Sequence, residues 1–469
     1  MTIFKKASFL ATAAAVMMFA QSCKKGQEGE NRNLTAGALA IVHIPTDALG
    51  RIVPNSGTTL TLSAGNTYLL DSVTRVPSGY SLVIPAGTTI QTGTAKTYTV
   101  TNPENPADVQ TRSIAGVLVV EKGGKLFANG TSSAPVVFTA ATASPAPGDF
   151  GGVVLLGNAP TNKVNPQIEG LPNAPVAGGN TYGGTVAADN SGSLTYVRIE
   201  YPGVPLFTNQ EINGLTLGGV GSGTVLEHIQ VSYSADDSFE FFGGTVNAKY
   251  LIANSGDDDD FDFDFGYSGN IQFAVGLKDP TTTHSVSGGA SDANGIESDN
   301  DATGSTATPT TRPTLSNFTL LGYSANATSL RNGNRWRRGS SLIIKNSVIG
   351  GFPGGAAFET VNATSANFSY NVLHAFTSLY PAGTAPAFVS NVNSSSVLTG
   401  VGTALGLGAA PFYTSAAAYN VNALRPVAAP ASAGANFTGL PAFFTATTYR
   451  GAVAPASSSN WVAEPWVVL

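Results

Sequence analysis

A short acidic and aromatic motif occurs twice in the sequence, and its spacing constrains the fold more than any other feature. Residues 236–244 read DDSFEFFGG, and residues 258–266 read DDDFDFDFG. The two copies start about 22 residues apart, a spacing typical of solenoid repeats, which stack one supersecondary unit on the next. Weaker copies are found at 213–219, 294–301, 332–340 and 355–362. Because their spacing drifts, the sequence predicts a solenoid with imperfect coils and loop insertions.

Within each copy apolar and polar residues alternate, which is the period of a β-strand. Phe261 and Phe263 fall on one face, and Asp260, Asp262 and Asp264 fall on the other. The mature chain has no convincing long amphipathic helix, so we predict an all-β fold. A right-handed parallel β-helix with coils of about 22 residues accounts best for the repeat, with equivalent residues of successive coils about 4.8 Å apart. A large β-sandwich or a propeller is the alternative, although propeller repeats are longer, at about 40–45 residues.

The sequence divides into four parts. They are a signal peptide (1–22), a tether with an N-terminal cap (23–57), the β-helix (58–375) and a C-terminal capping region rich in Ala and Pro (376–469). Two loop insertions are predicted within the β-helix, near 141–185 and 278–294. The C-terminal region is expected to close the open end of the stack, because an uncovered solenoid end exposes strand edges.

The first residues carry a processing signal. Lys5 and Lys6 precede the apolar stretch 7–20, which is too short to span about 30 Å of hydrocarbon but suits a signal peptide. Cys23 is the only cysteine in the chain, and the residues before it resemble the lipobox where bacterial lipoproteins are cleaved and acylated. We expect lipid attachment at Cys23 and anchoring in the outer membrane, facing the cell exterior. An ordinary secretory signal with a chance cysteine is the alternative.

The charge balance excludes one class of partner. The chain has 23 Lys and Arg residues against 29 Asp and Glu residues, a net charge of −6. Nucleic-acid phosphates require a basic face on the protein that binds them. We therefore expect no nucleic-acid partner.

Several segments together resemble a known family. They are GGKLFANGTSSAPVVFTA, GGVVLLGNAP, NSGSLTYVRIEY, the two acidic motifs, GIESDND, NRWRRGS and YRGAV. As a set they resemble the β-helical surface lipoproteins of Bacteroidetes-type bacteria, over nearly the whole mature chain. The resemblance implies a β-helix fold and a cell-surface location. It supplies no catalytic residues.

The acidic block indicates a cation site. Nine of the 29 carboxylates lie between Asp236 and Asp264. Equivalent positions in successive coils would put Glu240 over Asp262 and Asp237 over Asp259, where two like charges repel by roughly 3 kcal/mol. Either some of these carboxylates hold protons, or a cation such as Ca²⁺ lies among them.

The four stacked residues Asp237, Glu240, Asp259 and Asp262 are thus the predicted Ca²⁺ ligands. The block does not match the calcium loop of an EF-hand, which needs Gly at its sixth position and Glu at its twelfth. Aspartates that are solvated at the coil corners, with mobile counterions, are the alternative.

A catalytic role for the same region has weaker support. Carboxylate pairs on a β-helix resemble those of the polygalacturonase clan, which hydrolyses glycosides. If the chain is an enzyme of that kind, Asp236, Asp237, Asp259 and Arg337 are the candidate catalytic residues. The Gly-His-Gly and Arg-Ile-Lys motifs of that clan are missing from the sequence. Arg337 is also expected to pair with acidic neighbours.

Four aromatic residues are candidates for stacking on sugar rings if they are exposed. They are Tyr201, Tyr233, Phe242 and Tyr267. Burial or packing at a sheet edge is the competing role for each of them.

These observations favour a surface-anchored lipoprotein whose β-helical wall binds glycan or extracellular matrix without catalysis. One alternative is a polysaccharide lyase or glycoside hydrolase of the pectin-lyase-like class. Another is a structural subunit of a surface layer or sheath. Ca²⁺ is the only cofactor that the sequence indicates.

Overall fold

Strands of two to eleven residues form nearly all the regular structure of the computed structural model. It describes residues 41–102, 105–207, 210–287, 289–413 and 419–469. The strands of the first coils are β1 (Ile41–His43), β2 (Thr59–Thr61), β3 (Thr67–Leu70), β4 (Val73–Val76), β5 (Ser81–Pro85), β6 (Thr89–Thr92), β7 (Lys96–Thr101), β8 (Val109–Ile114), β9 (Val117–Val120), β10 (Lys125–Asn129), β11 (Val136–Thr139) and β12 (Gly152–Leu156).

The middle coils carry the acidic motifs. Their strands are β13 (Gly192–Glu200), β14 (Pro205–Phe207), β15 (Gln210–Glu211), β16 (Leu215–Gly218), β17 (Val225–Ser232), β18 (Phe239–Phe242), β19 (Asn247–Asn254), β20 (Phe261–Asp264), β21 (Asn270–Leu277), β22 (Val286–Ser287), β23 (Ala290–Ser291) and β24 (Ile296–Ser298).

The last coils run to residue 395. Their strands are β25 (Thr314–Leu321), β26 (Asn332–Trp336), β27 (Ile343–Lys345), β28 (Val348–Phe358), β29 (Asn367–Ser369), β30 (Val372–Ser378), β31 (Val389–Ser390) and β32 (Asn393–Ser395). The parallel pairing therefore continues past the predicted boundary at residue 375.

Parallel pairing between successive coils builds three walls. Wall A contains β4, β9, β12, β16, β18, β20, β24, β26 and the end of β28. Wall B begins with β2, β5 and β10, and wall C begins with β1, β3, β6 and β11. This is the right-handed parallel β-helix predicted from the repeat.

Five long strands, β13, β17, β19, β21 and β25, belong to walls B and C at once. Each strand bends at one residue in the left-handed region, with φ between 51° and 62°. These residues are Tyr196, His228, Tyr250, Phe273 and Asn317. The bend turns the chain from one wall to the next without a loop, and it stacks the rings of the first four in a column.

The core lies inside the coils and contains the predicted aromatic ladder. Phe239 pairs with Phe261, and Phe241 pairs with Phe263, in the register predicted from the sequence. All four side chains are fully buried, and the ring centroids of both pairs are 5.2 Å apart. Dispersion contacts and removal of these rings from water stabilise the stack of coils.

Loop insertions interrupt the coils on the side of wall A. No strand of the main sheet lies in the described residues of the two predicted insertions beyond β12, and 278–294 contains the antiparallel hairpin β22–β23. The antiparallel hairpin β7–β8 is a third insertion, which the sequence pattern did not predict. These segments cover part of the outer face of wall A.

The C-terminal region was predicted to close the open end of the stack, but much of it lies along the side. Its backbone N–H groups at Asn436, Thr445 and Val468 donate to side chains of successively earlier coils. Beyond β32, the regular elements in its described residues are α1 (Val401–Leu405) and two 3-10 turns, Val421–Leu424 and Trp461–Ala463. In the described residues, no helix has the length and apolar character needed to cross a membrane.

Candidate functional site

Strand alternation separates the aromatic core of wall A from a polar outer column. Glu240 and Asp262 are Cα partners on the face opposite to the phenylalanine ladder. Thr216 lies one coil before Glu240, and Glu297 and Arg335 continue the column after Asp262. The predicted stacking of Glu240 with Asp262 is confirmed.

The turns before β18 and β20 bring further carboxylates close to Glu240 and Asp262. Asp237 Oδ1 accepts the backbone N–H of Asp259 at 2.8 Å, and Asp259 Oδ1 accepts that of Asn294 at 2.6 Å. Each carboxylate is therefore bonded to the backbone of the following coil. These bonds confirm that Asp237 and Asp259 stack, and they hold the acidic turns in register.

Carboxylate oxygens converge in two overlapping groups. In the first, one oxygen each from Asp236, Asp237 and Asp258 lie within 4.8 Å of one another. In the second, oxygens of Asp237, Glu240 and Asp262 do the same. We call these five residues the acidic cluster, with Asp237 shared by both groups.

Burial and mutual repulsion make full ionisation of the acidic cluster unfavourable. Burial, followed by nearby carboxylates, raises the pKa of Asp236, Asp237 and Glu240 well above the ordinary range. Burial and the charge of Asp299 raise the pKa of Asp262 to about 7, although Arg337 opposes the shift. At neutral pH the cluster must hold protons or a cation, because neighbouring carboxylates cannot all stay charged in a low-dielectric site.

Two neutral oxygens beside Glu240 have no hydrogen-bond partner among the described residues. Asn213 donates its Nδ2 hydrogen to Glu240, which leaves its own Oδ1 buried without a hydrogen bond. Thr216 Oγ1 is likewise buried and unpartnered, and the two residues are only 1% and 3% exposed. An unpaired buried polar atom is costly. These oxygens and the carboxylates form an all-oxygen donor set, which suits a hard cation such as Ca²⁺.

Arginines balance the acidic residues in the coils that follow. Arg335 Nη1 donates to Asp292 at 2.9 Å and to Glu297 at 3.0 Å. Arg337 donates to Asp299 at 2.9 Å and also pairs with Glu297. Burial opposes its charge, but these two carboxylates raise the pKa of Arg337 above its usual value. The expectation that Arg337 pairs with acidic neighbours is confirmed, and the guanidinium stays protonated.

An inward-facing ion pair supports the turn that carries Asp258. Lys278 Nζ lies 3.1 Å from Asp260 Oδ1, and both side chains are fully buried. Lys278 also donates to the backbone carbonyls of Gly256 and Asp258. The sequence pattern wrongly assigned Asp260 to the polar face with Asp262, because the residue lies in the turn before the alternation of β20 begins.

The aromatic candidates for sugar stacking divide into two pairs. Phe242 is 2% exposed and Tyr267 is fully buried, so neither can contact a sugar ring, and their prediction as binding residues was wrong. Tyr201 and Tyr233 are half-buried and stack on each other with centroids 5.3 Å apart. The hydroxyl of Tyr233 is bonded to that of Tyr413 at 3.0 Å. Stacking between coils therefore occupies one face of each of these rings.

Of the predicted ligands, Asp237, Glu240 and Asp262 come together in the acidic cluster. Asp258 joins Asp236 and Asp237 there, whereas the Asp259 carboxylate binds the backbone of Asn294. Asn213 and Thr216 were missed, although the alternation of Leu215, Thr216 and Leu217 in the weaker copy matches that of Phe239, Glu240 and Phe241. Cys23, the predicted lipidation site, lies outside the described residues.

The chain matches one family model over most of its length. Residues 54–396 match the model described as pectate-lyase like beta helix domain. No curated protein and no solved structure matches the chain. The matched residues contain the strands of the three walls from β2 onward, the acidic cluster and the arginines that follow it.

Proposed function

The chain belongs to the family of pectate-lyase-like β-helix domains, and from that membership we propose that wall A binds polysaccharide through a divalent cation held by the acidic cluster. The observation that carries the proposal is the convergence of oxygens from Asp237, Glu240 and Asp262 within 4.8 Å. Ca²⁺ is the cation that fits best, because it takes hard oxygen ligands in flexible geometry. We propose that the polysaccharide is bound and is not chemically altered.

The number of protein ligands supports a role in binding a further molecule. Ca²⁺ takes about six to eight oxygens, and the three converging carboxylates with Asn213 Oδ1 and Thr216 Oγ1 offer fewer unless some carboxylates are bidentate. Water or a ligand oxygen would complete the set. Hydroxyl and carboxylate oxygens of a polysaccharide are suitable for this role, and the rigid wall of stacked strands offers an extended surface for them.

Turnover of the polysaccharide is the second candidate, and family membership favours it. A lyase-like reaction would need a base that is free to accept a proton. Arg337, the candidate named from the sequence, is held protonated by Glu297 and Asp299. This pairing is why we favour binding over catalysis at wall A.

The proposed location rests on the sequence before residue 41. We propose that Cys23 carries a lipid and that the β-helix is displayed outside the outer membrane. A long rigid solenoid on a polar tether would present wall A to extracellular glycans or matrix.

A glycan-array screen with Ca²⁺ and with EGTA tests the binding proposal. We expect binding to acidic polysaccharides that is lost in EGTA and in the double variant Asp237→Asn, Asp262→Asn. Glu227→Gln is the matched control, because it removes an exposed carboxylate from wall B. Equal binding in EGTA would overturn the cation-mediated mode. Appearance of unsaturated or shortened products from the bound polysaccharide would replace binding by catalysis.

A further inference from the structure

A buried arginine in the C-terminal region lies in a sequence motif that takes no part in the site at wall A. Arg450 belongs to the segment YRGAV, whose backbone is fixed against the side of the β-helix. Gly451 N–H donates to the Asn346 carbonyl at 2.8 Å, and Ala452 N–H donates to Thr319 Oγ1 at 2.9 Å. These bonds give the Arg450 side chain a rigid base.

The Arg450 guanidinium is neutralised by no carboxylate within 4.0 Å among the described residues. Its Nε and Nη2 donate to the Gly434 carbonyl at 3.3 and 3.1 Å, and Nη1 donates to Asn393 Oδ1. Both acceptors are neutral, and Arg450 is only 6% exposed. A buried charge without an opposite charge is unfavourable. Burial accordingly lowers the pKa of Arg450.

Arg450 lines a surface pocket of about 490 Å³ and is the one ionisable residue among the described residues that line it. Asn393, Ser394 and Ser395 lie on the wall formed by β32, and Pro430 and Gly434 belong to the C-terminal region. A guanidinium has five N–H donors. Three are engaged by Gly434 and Asn393, so one hydrogen on each terminal nitrogen is left without a partner in the described part of the chain.

We propose that this pocket binds the carboxylate or sulfate group of an acidic sugar, with Arg450 as the anion-binding residue. The two N–H groups that remain, one on each terminal nitrogen, are donors for the oxygens of such a group. The volume lies within the range of small-molecule sites, which reaches from about 300 to 1,000 Å³. The hydroxyls of Ser394 and Ser395 supply partners for sugar hydroxyls. This site is separate from the acidic cluster and needs no cation.

Titration of the purified chain in EGTA with D-glucuronate, glucose 6-sulfate and glucose tests the proposal by calorimetry or ligand-observed NMR. We expect at least one of the two acids to bind and neutral glucose not to bind. Whichever acid binds more tightly identifies the carboxylate or the sulfate as the preferred group. Failure of both acids to bind, or equal binding of glucose, would overturn the proposal.

Two kinds of variant separate anion binding from a merely structural role of Arg450. Arg450→Ala should weaken binding by at least about tenfold, the effect of losing charge-assisted hydrogen bonds. Because this change also removes the bonds to Gly434 and Asn393, Ser394→Trp provides a second test. It fills the pocket from an exposed position, and the matched control is Ser396→Trp, an exposed residue outside the pocket.

Ser394→Trp should abolish binding while Ser396→Trp leaves it unchanged. If Ser394→Trp binds the acid as tightly as the original chain, the pocket is not the site. Asp262→Asn should not change this binding, so the result stands or falls independently of the cation site.

Discussion

Replacing Asp262 by Asn should stabilise the folded chain most at high pH without Ca²⁺, and this gain should shrink when the pH is lowered or Ca²⁺ is added. The folded protein raises the pKa of Asp262 from 3.8 to about 7. Between those values the folded chain holds a proton that the unfolded chain has released, so the free energy of unfolding falls as the pH rises. Above about pH 8 the ionised carboxylate is a net burden on the fold unless a cation offsets it.

The size of this effect follows from the shift. At about 1.4 kcal/mol per unit, a rise from 3.8 to about 7 corresponds to roughly 4 kcal/mol. In chelator at about pH 8.5, Asp262→Asn should therefore raise the free energy of unfolding by up to about 4 kcal/mol. Asn keeps an Oδ1 that can accept the Phe263 N–H, as Asp262 does at 2.6 Å. At about pH 5 the carboxyl is protonated in the folded state, and the difference should be much smaller.

Ca²⁺ should narrow the difference between the two chains at the higher pH. A ligand at a hundredfold excess over its Kd stabilises the folded state by about 2.7 kcal/mol. The original chain should gain this amount, and Asp262→Asn should gain little because it has lost a ligand. Guanidinium chloride unfolding at both pH values, with EGTA or Ca²⁺, measures all four states, and Glu227→Gln controls for a change in net charge. The reasoning is refuted if Asp262→Asn is less stable than the original chain in EGTA at high pH, or if Ca²⁺ stabilises both equally.

Three further predictions concern the core, the ion pairs and the anchor. Phe261→Ala should lower the free energy of unfolding by about 3–5 kcal/mol, because the ring is fully buried; Val164→Ala, at a side chain 92% exposed, should stay within about 0.5 kcal/mol. Arg335→Met should lower the free energy of unfolding by about 3–5 kcal/mol near neutral pH, because Glu297 and Asp292 each lose an ion-pair partner. An unchanged denaturation midpoint would contradict the assigned pairing. Cys23→Ser should release the protein from membranes, and intact-mass analysis of the original chain should find acyl groups; a membrane-bound variant together with an unacylated original would end the anchoring hypothesis.

The local pattern of the sequence was enough to predict the β-helical coil and the strand register of the acidic repeats. Phe239 and Phe261 repeat at the same place within a coil, and alternation assigns Glu240 and Asp262 to the opposite face. A slip by one residue would turn the carboxylates into the apolar core and the rings onto the outer face, so only one register is compatible with both copies. This same argument was sufficient to predict the pairing of Asp237 with Asp259 and a carboxylate cluster on wall A.

Contacts between segments far apart in the chain decided which outward side chains are buried and which way the turn residues point. Phe242 falls in the outward column, but an insertion brings Tyr182 to a centroid distance of 6.2 Å and buries it. Asp260 turns inward because Lys278, one coil later, supplies a buried countercharge.

The C-terminal region illustrates the same limit. Its composition suggested a cap, yet Val468 reaches Gln230 and Arg450 borders the last strands. Periodicity reports which residues share a face within a coil, because that depends on local backbone geometry. It carries no information on which loop or tail covers that face, since the covering contacts join residues far apart in the chain and depend on the folded solenoid.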